Sequence, residues 1–257
     1  MEILLSLAAP TKESGLWEWI VFIATKYSNT FLKATWFTLY VAVIGTLLGF
    51  VLGFFVGVVN TTEIHEEDNI VKKTLFRIVK IIVKVYVEVF RDTPMIVQAM
   101  VIYNGLRQGN IMITSLAAGV LVTLFNTGAY MGETVRGGIN SVDRGQEEGA
   151  LAMGMSHVGA MIYVILPQAL KNIFPEMCNT FLNNLKMTSV LNVIGVSELF
   201  LAAKTAGGSY YKYFEAYLVI ALIYFVLCFV FNRVFLLIEK KMEGRKDYVI
   251  ATEYLEN

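Results

Sequence analysis

From Ala34 to Val59 the chain carries no charged side chain. At ~1.5 Å per residue that stretch makes roughly 39 Å of helix, enough to cross the ~30 Å hydrocarbon layer of a bilayer with some tilt. Two further stretches are as clean. Twenty-five uncharged residues separate Arg107 from Glu133, and Ala216 to Asn232 is uncharged as well. With 56% of 257 residues hydrophobic and only 16% charged, the chain has too much apolar sequence for one soluble core and too few charges to cover it. It reads as an all-α, polytopic membrane protein.

The formal net charge of zero gives no reason to expect nucleic acid or a strongly acidic partner. Cys178 and Cys228 both fall in apolar segments without metal-like spacing, so each is expected to act as a small hydrophobe. No Gly-x-x-x-x-Gly-Lys-Ser/Thr loop occurs, so the chain is not expected to cradle nucleotide phosphates in that manner. Neither a metal cluster nor a nucleophile elbow is found, and an enzyme is not expected. Met1 to Thr30 has no basic leader followed by an apolar core and a small-residue cleavage site, so no cleaved leader is expected there.

Taken in order, residues 1–30 form an extracytoplasmic N-terminus in which Leu16 to Tyr27, with Trp17, Trp19, Tyr27, Glu18 and Lys26, suits an interfacial helix. The first span, Ala34 to Val59, carries Gly45, Gly49, Gly53 and Gly57 at every fourth residue, a stripe that lets two helix backbones approach closely in lipid. Asn60 to Lys73 is polar, with His65 read as a solvated surface histidine. Arg77, Lys80 and Lys84 follow at helical spacing on one face, and basic residues beside a span place this loop in the cytoplasm. The second span, roughly Ile78 to Leu106, is interrupted by Glu88, Arg91 and Asp92, which are expected to pair near the cytoplasmic surface. Pro94 must kink or restart its helix.

The third span, about Met112 to Gly132, puts Asn126, Tyr130 and Glu133 on one helical face, where they either meet a small zwitterion or bond to another helix. Gln168 to Leu185 carries Asn172, Pro175, Glu176, Asn179, Asn183 and Asn184, amides that belong on an interior or cavity face. The last span, Ala216 to Asn232, is followed by Arg233, Lys240, Lys241, Arg245 and Lys246, a basic cytoplasmic end. That gives five spans, with the N-terminus outside and the C-terminus inside.

Between the third and fourth spans lies the island ETVRGGINSVDRGQEEGALAMGMSHVGAMIYVILP, Glu133 to Pro167. Asp143 with Gln146 three residues later makes a capping-box pattern for a helix starting near Arg144. Gly154 ends that helix and Ser156 caps a second one through Ile165. Pro167 suits the first turn of the next segment. Two short helices meeting at a glycine make a knob that another protein can grip. His157 is expected to pack or cap within it.

The run Glu148, Gly149, Ala150, three residues, Gly154, nine residues, Val164, then Ile165, Leu166 and Pro167 resembles the EAA loop of ABC-importer permease subunits. RGGI at Arg136 to Ile139, GQ at Gly145 and Gln146, and ILPQAL at Ile165 to Leu170 resemble the polar amino-acid uptake branch. FRDTPMIVQAMVIYNGL, Phe90 to Leu106, and LKMTSVLNVIGVSEL, Leu185 to Leu199, resemble two further stretches of that family, with Asp92, Met187 and Gly149 departing from its usual glycine, aspartate and alanine.

The resemblance covers Phe31 to Lys241. It implies a five-helix, type I ABC importer fold, MetI-like, with an ABC transmembrane type-1 domain at 31–241 and a cytoplasmic tail at 242–257. It implies a permease subunit of the bacterial cytoplasmic membrane that moves a polar amino acid and pairs with an identical or related second permease subunit. A cytoplasmic ATP-binding subunit dimer would hold the ATP and magnesium, and an extracytoplasmic solute-binding protein would deliver the substrate. Gly145, Gln146, Glu147, Glu148, Ala150, Gly154, Met155 and Ser156 would carry coupling to the ATPase. Asn126, Tyr130, Glu133, Asn179 and Asn183, with Lys186, Thr188, Ser189 and Glu198, would line the substrate path. A secondary transporter instead would respond to an ion gradient without an ATPase and usually shows inverted repeats, which are not seen here. A non-transporting assembly protein would have no use for interior polar residues on the third and fourth spans.

Overall fold

The computed structural model describes residues 9–11, 13–62 and 69–243, and His65, Arg245 and Lys246 lie outside them. Among the described residues regular structure is entirely helical. Four helical runs are long and apolar enough to cross a membrane: Ser28–Thr61, Ser115–Asn140, His157–Ile194 and Tyr213–Met242. In lipid this is the expected solution, since a helix satisfies its backbone polar groups within the segment.

Helix α1, Leu16–Lys26, leads into α2, Ser28–Thr61; α3, Ile70–Asp92, and α4, Met95–Gln108, come next, then α5, Ser115–Asn140. The glycine stripe of α2 lies on α5. A β-carbon added at Gly45, Gly49 or Gly57 would stand 2.6, 2.5 and 2.5 Å from the Cβ atoms of Thr123, Thr127 and Val135, and one at Gly53 would meet Met131. Both sets of residues rise together in steps of four, so α2 and α5 run parallel, backbone close against backbone. The seam decides the centre of the molecule.

Helix α6, Arg144–Ala152, and α7, His157–Ala160, precede a π-helical turn at Met161–Ile165 and α8, Leu166–Met187. α8 returns antiparallel along α5: Gly138 meets Ile173 near one end, and Thr127 meets Asn184 further along. A 3-10 turn, Thr188–Ile194, then α9, Leu199–Gly208, and α10, Tyr213–Glu243, complete the chain. The end of α5 and the start of α8 therefore meet at the α6–α7 unit, which caps one end of the bundle. The turns before α5 and α10 lie at the other.

At that other end α1 is docked, not free. Trp19, Ile20, Phe22 and Ile23 are buried against α9 and α10, and the Lys26 ammonium donates to the Tyr210 hydroxyl at 2.6 Å. Trp17 remains 74% exposed, which suits an interfacial helix with one protein-facing side.

The Ile78 to Leu106 segment is two helices, broken at Thr93–Pro94. Proline has no N–H to give, and the Gln98 side-chain amide spans the break by donating to the carbonyls of Phe90 and Thr93, both at 2.9 Å. Neither α3 nor α4 is among the four runs long and apolar enough to cross alone. The expected pairing of Glu88, Arg91 and Asp92 is replaced. Glu88 faces Lys84 at 3.8 Å, one helical turn back, and the Arg91 guanidinium lies 5.7 Å from the centre of the Tyr130 ring. The third apolar run starts later than expected, because Thr114 caps α5 through the Ala117 N–H and leaves Met112 in the preceding loop, and its helix continues past Gly132 to Asn140. Cys178 and Cys228 are half-buried free thiols.

Candidate functional site

The α6–α7 unit is held by three independent caps. The Asp143 carboxylate accepts from the Gly145 N–H at 2.7 Å and fixes the start of α6 at Arg144. The reciprocal half of the expected capping box is not made. The Gln146 amide oxygen accepts from the Gln168 side chain instead, at 3.4 Å, tying α6 to α8. At the far end the Met155 N–H donates to the Ala150 carbonyl at 3.1 Å and the Gly154 N–H to the Leu151 carbonyl at 2.9 Å. These are the two bonds of a Schellman motif. Gly154 sits at φ +89°, where a side chain would be strained.

Ser156 then accepts from the Gly159 N–H at 3.1 Å and caps α7, while His157 reaches back to the Glu147 carboxylate at 3.5 Å. Ala150 is buried beneath the unit, and Gly145, Gln146, Glu148, Gly149 and Met153 face outward.

Pro167 does stand in the first turn of α8, but no loop precedes it. The helix runs on from α7 through the π turn, which accommodates the missing proline donor, and so α6–α7 is continuous with a candidate span. Behind the unit lies a cavity of about 970 Å³. Phe54, Val58, Phe76, Ile139, Met161 and Ile165 give it apolar surface, Lys72, Arg144 and Glu148 give it charge, and His157 adds an imidazole.

α8 carries two polar lanes with opposite fates. Asn184 is buried and its amide donates to the hydroxyls of Thr46 at 2.7 Å and Thr127 at 2.8 Å, joining α8 to both helices of the central seam. Asn172, Glu176, Asn179, Asn183 and Lys186, at steps of four, three, four and three, are all exposed along one face. On α5 the Asn126 amide donates to Gln98 Oε1 at 3.0 Å and the Phe90 carbonyl at 3.4 Å, so of its two readings the helix-to-helix bond is the one formed. Tyr130 is exposed and its hydroxyl donates to the Arg91 carbonyl at 3.4 Å. Glu133 accepts two bonds from Arg136, at 2.7 and 3.1 Å.

Residues 72–244 match the family model described as "Binding-protein-dependent transport system inner membrane component". The chain belongs to this family. Among curated relatives, the arginine transport system permease protein ArtQ of Bacillus subtilis is 32% identical over 208 residues, which cover 80% of this chain and 90% of that one. The putative glutamine transport system permease protein GlnP of Rickettsia prowazekii is 33% identical over 212 residues, 82% of this chain and 92% of that one. Among solved structures, an amino acid ABC transporter crystallised with histidines superposes with a TM-score of 0.75 at 36% identity, covering 84% of this chain and 95% of that one. The inward-facing MetNI methionine transporter shares the fold, with a TM-score of 0.68 at 20% identity and coverage of 84% and 97%.

In this family member two expected path residues stand elsewhere. The Glu198 carboxylate is fully buried as the N-cap of α9, accepting from the N–H groups of Phe200 at 2.7 Å and Leu201 at 2.8 Å and from the Tyr224 hydroxyl at 3.3 Å. Thr188 is buried and bonds to the Leu185 carbonyl. Glutamate is not among the usual N-cap residues, and in the run Ser197 to Leu199 the serine is the more ordinary candidate, so the sequence gives no clear sign of this role. Ser189 is half-buried in the turn after α8, next to that lane. Sequence reasoning did not separate Asn184 from Asn183. It also passed over Gln98 and Thr46, whose roles depend on which helix each faces.

Proposed function

We propose that this chain is the membrane-spanning permease subunit of an ATP-driven importer that moves a polar amino acid across the bacterial cytoplasmic membrane. The observation that carries the reading is the outward-facing, triply capped α6–α7 unit, covalently continuous with α8. A separate ATPase dimer, holding the ATP and magnesium, grips this unit through Gly145, Gln146, Glu147, Glu148, Gly154, Met155 and Ser156, while Ala150, buried, seats α6 on the helices behind it and is not itself a contact. Pulling on it moves α8 relative to the α2–α5 seam, which alternates access to the path. The cavity behind the unit supports this, since space there lets the unit shift without first breaking a packed core.

The path runs along the exposed lane of α8, with Asn179, Asn183 and Lys186, and the open face of α5, with Tyr130 and Glu133. Five polar side chains in a lane are costly against lipid, so a second permease subunit, identical or related, faces them across the path. Five spans follow when α3 and α4 are counted together as the second, within a transport domain at 31–241. α6–α7 is then cytoplasmic, the N-terminus outside and the C-terminus inside, and a solute-binding protein delivers the amino acid from outside.

The test is the purified complex in proteoliposomes with its ATPase and binding protein. ATP-dependent uptake of labelled polar amino acids, lost when the ATPase is omitted, is the expected result. Uptake driven by an ion gradient without ATP would identify a secondary transporter instead.

A further inference from the structure

α3 presents three lanes with different chemistry. Tyr86 and Phe90 pack toward α5, where the Tyr86 hydroxyl donates to the Phe125 carbonyl at 2.6 Å and the Phe90 ring meets that of Phe125. Val71, Leu75, Ile78, Ile82, Val85 and Val89, at steps of four and three, are each about half or more exposed and suit lipid. Arg77, Lys80, Lys84 and Arg91, at steps of three, four and seven, form a basic lane apart from both.

Arg91 fixes where that lane faces. Its guanidinium lies over the ring of Tyr130, on the open face of α5. The lane therefore borders the same opening as Tyr130 and Glu133. Nearby acids cancel only part of it, Glu88 taking up Lys84 and Asp92 standing exposed next to Arg91 in the chain. Glu133 is held by Arg136 and Glu88 faces Lys84, while Arg77, Lys80 and Arg91 have no carboxylate within 4.0 Å among the described residues. The α8 lane carries one acid, Glu176, and one base, Lys186. An opening walled by one sign of charge concentrates solutes of the other sign and repels its own.

We propose that the basic lane of α3 makes one wall of the path cationic, so that the subunit favours amino acids with an acidic side chain over those with a basic one. This rests on the transport reading above. A side-chain carboxylate gains from the wall as it passes, and a guanidinium or ammonium group meets a barrier.

The test is ATP-driven uptake of labelled glutamate and arginine by the whole complex in proteoliposomes. One binding protein is used throughout, so its own preference cancels between variants. R77Q/K80Q/K84Q is expected to lower the glutamate-to-arginine rate ratio about fivefold, while R77K/K80R/K84R, which keeps the charge, leaves it unchanged. An unchanged ratio in the first variant, or an equal fall in both, overturns the proposal. Should the neutral variant fail to assemble, the wild-type ratio is measured as salt rises from about 0.1 M to about 1 M and the screening length falls from ~10 to ~3 Å. The ratio is expected to drop, and a salt-independent ratio overturns the proposal. A wild-type complex with no ATP-driven uptake of any amino acid would refute the transport reading itself, and this inference with it.

Discussion

Replacing Gly49 with alanine tests the seam on which the architecture is built. The added methyl would stand 2.5 Å from Thr127 Cβ, 2.8 Å from Thr127 Cγ2 and 3.0 Å from the Leu124 carbonyl oxygen. Two carbons in ordinary contact lie ~3.5–4.0 Å apart, so the helices must separate locally by about 1 Å. No rotamer change relieves a clash with a β-carbon, which is fixed to the backbone. Overpacking of this kind costs about 1–3 kcal/mol, and the same shift strains the Thr127 hydroxyl that accepts from Asn184. Alanine is favoured over glycine in a helix by ~1 kcal/mol, which offsets part of the loss.

The expected net effect is a destabilisation of about 1 kcal/mol, the middle of the overpacking range less the helix-propensity gain. In thermal unfolding of the detergent-purified protein that is a fall of roughly 2–4 °C for a chain of this size. Gly105→Ala is the control, because nothing lies within 4 Å of its added β-carbon, and it should leave stability unchanged or slightly raised. A Gly49→Ala protein at least as stable as wild type would refute the close-packed seam.

Asn184→Ala removes the buried amide shared by Thr46 and Thr127 and should cost about 1–3 kcal/mol, read as a lower unfolding midpoint with unchanged secondary structure by circular dichroism. Glu198→Gln leaves one acceptor where two N–H groups and a hydroxyl converge; thermal stability should fall by about 1–2 kcal/mol while the apparent KM for uptake holds, and a KM change at constant stability would restore Glu198 to the path. Gly154→Ala strains the left-handed residue that closes α6 by about 1–2 kcal/mol, so ATP-driven uptake should drop more than the unfolding midpoint does.

Much of this fold is written in local signals. The start of α6 at Arg144, the turn at Gly154 and the cap at Ser156 each depend on a few adjacent residues, and each stands where the sequence places it. The stripe at Gly45, Gly49, Gly53 and Gly57 marks a close approach, but its partner on α5 could not be read, since Thr123 and Thr127 carry no such mark. The same limit divides Asn183 from Asn184. Adjacent amides on one helix differ by about 100° in direction, and only the position of α2 and α5 makes one a buried bridge and the other an exposed lane residue. Glu198 shows a cap formed by a residue type that seldom caps, which no local pattern announces. Gln146 shows the reverse, a capping pattern yielding to a tertiary partner in Gln168.

The central claim is that the α6–α7 unit is the handle through which a separate ATPase works the permease. Met153, 79% exposed at the end of α6, is the position to probe, as Met153→Cys in the assembled complex. The expected result is a disulfide or short cross-link from this cysteine to the ATPase subunit, with its yield changing between nucleotide-free and ATP-bound states. A cysteine that is labelled from the outer face of the membrane, or that never reaches the ATPase in an active complex, would contradict it.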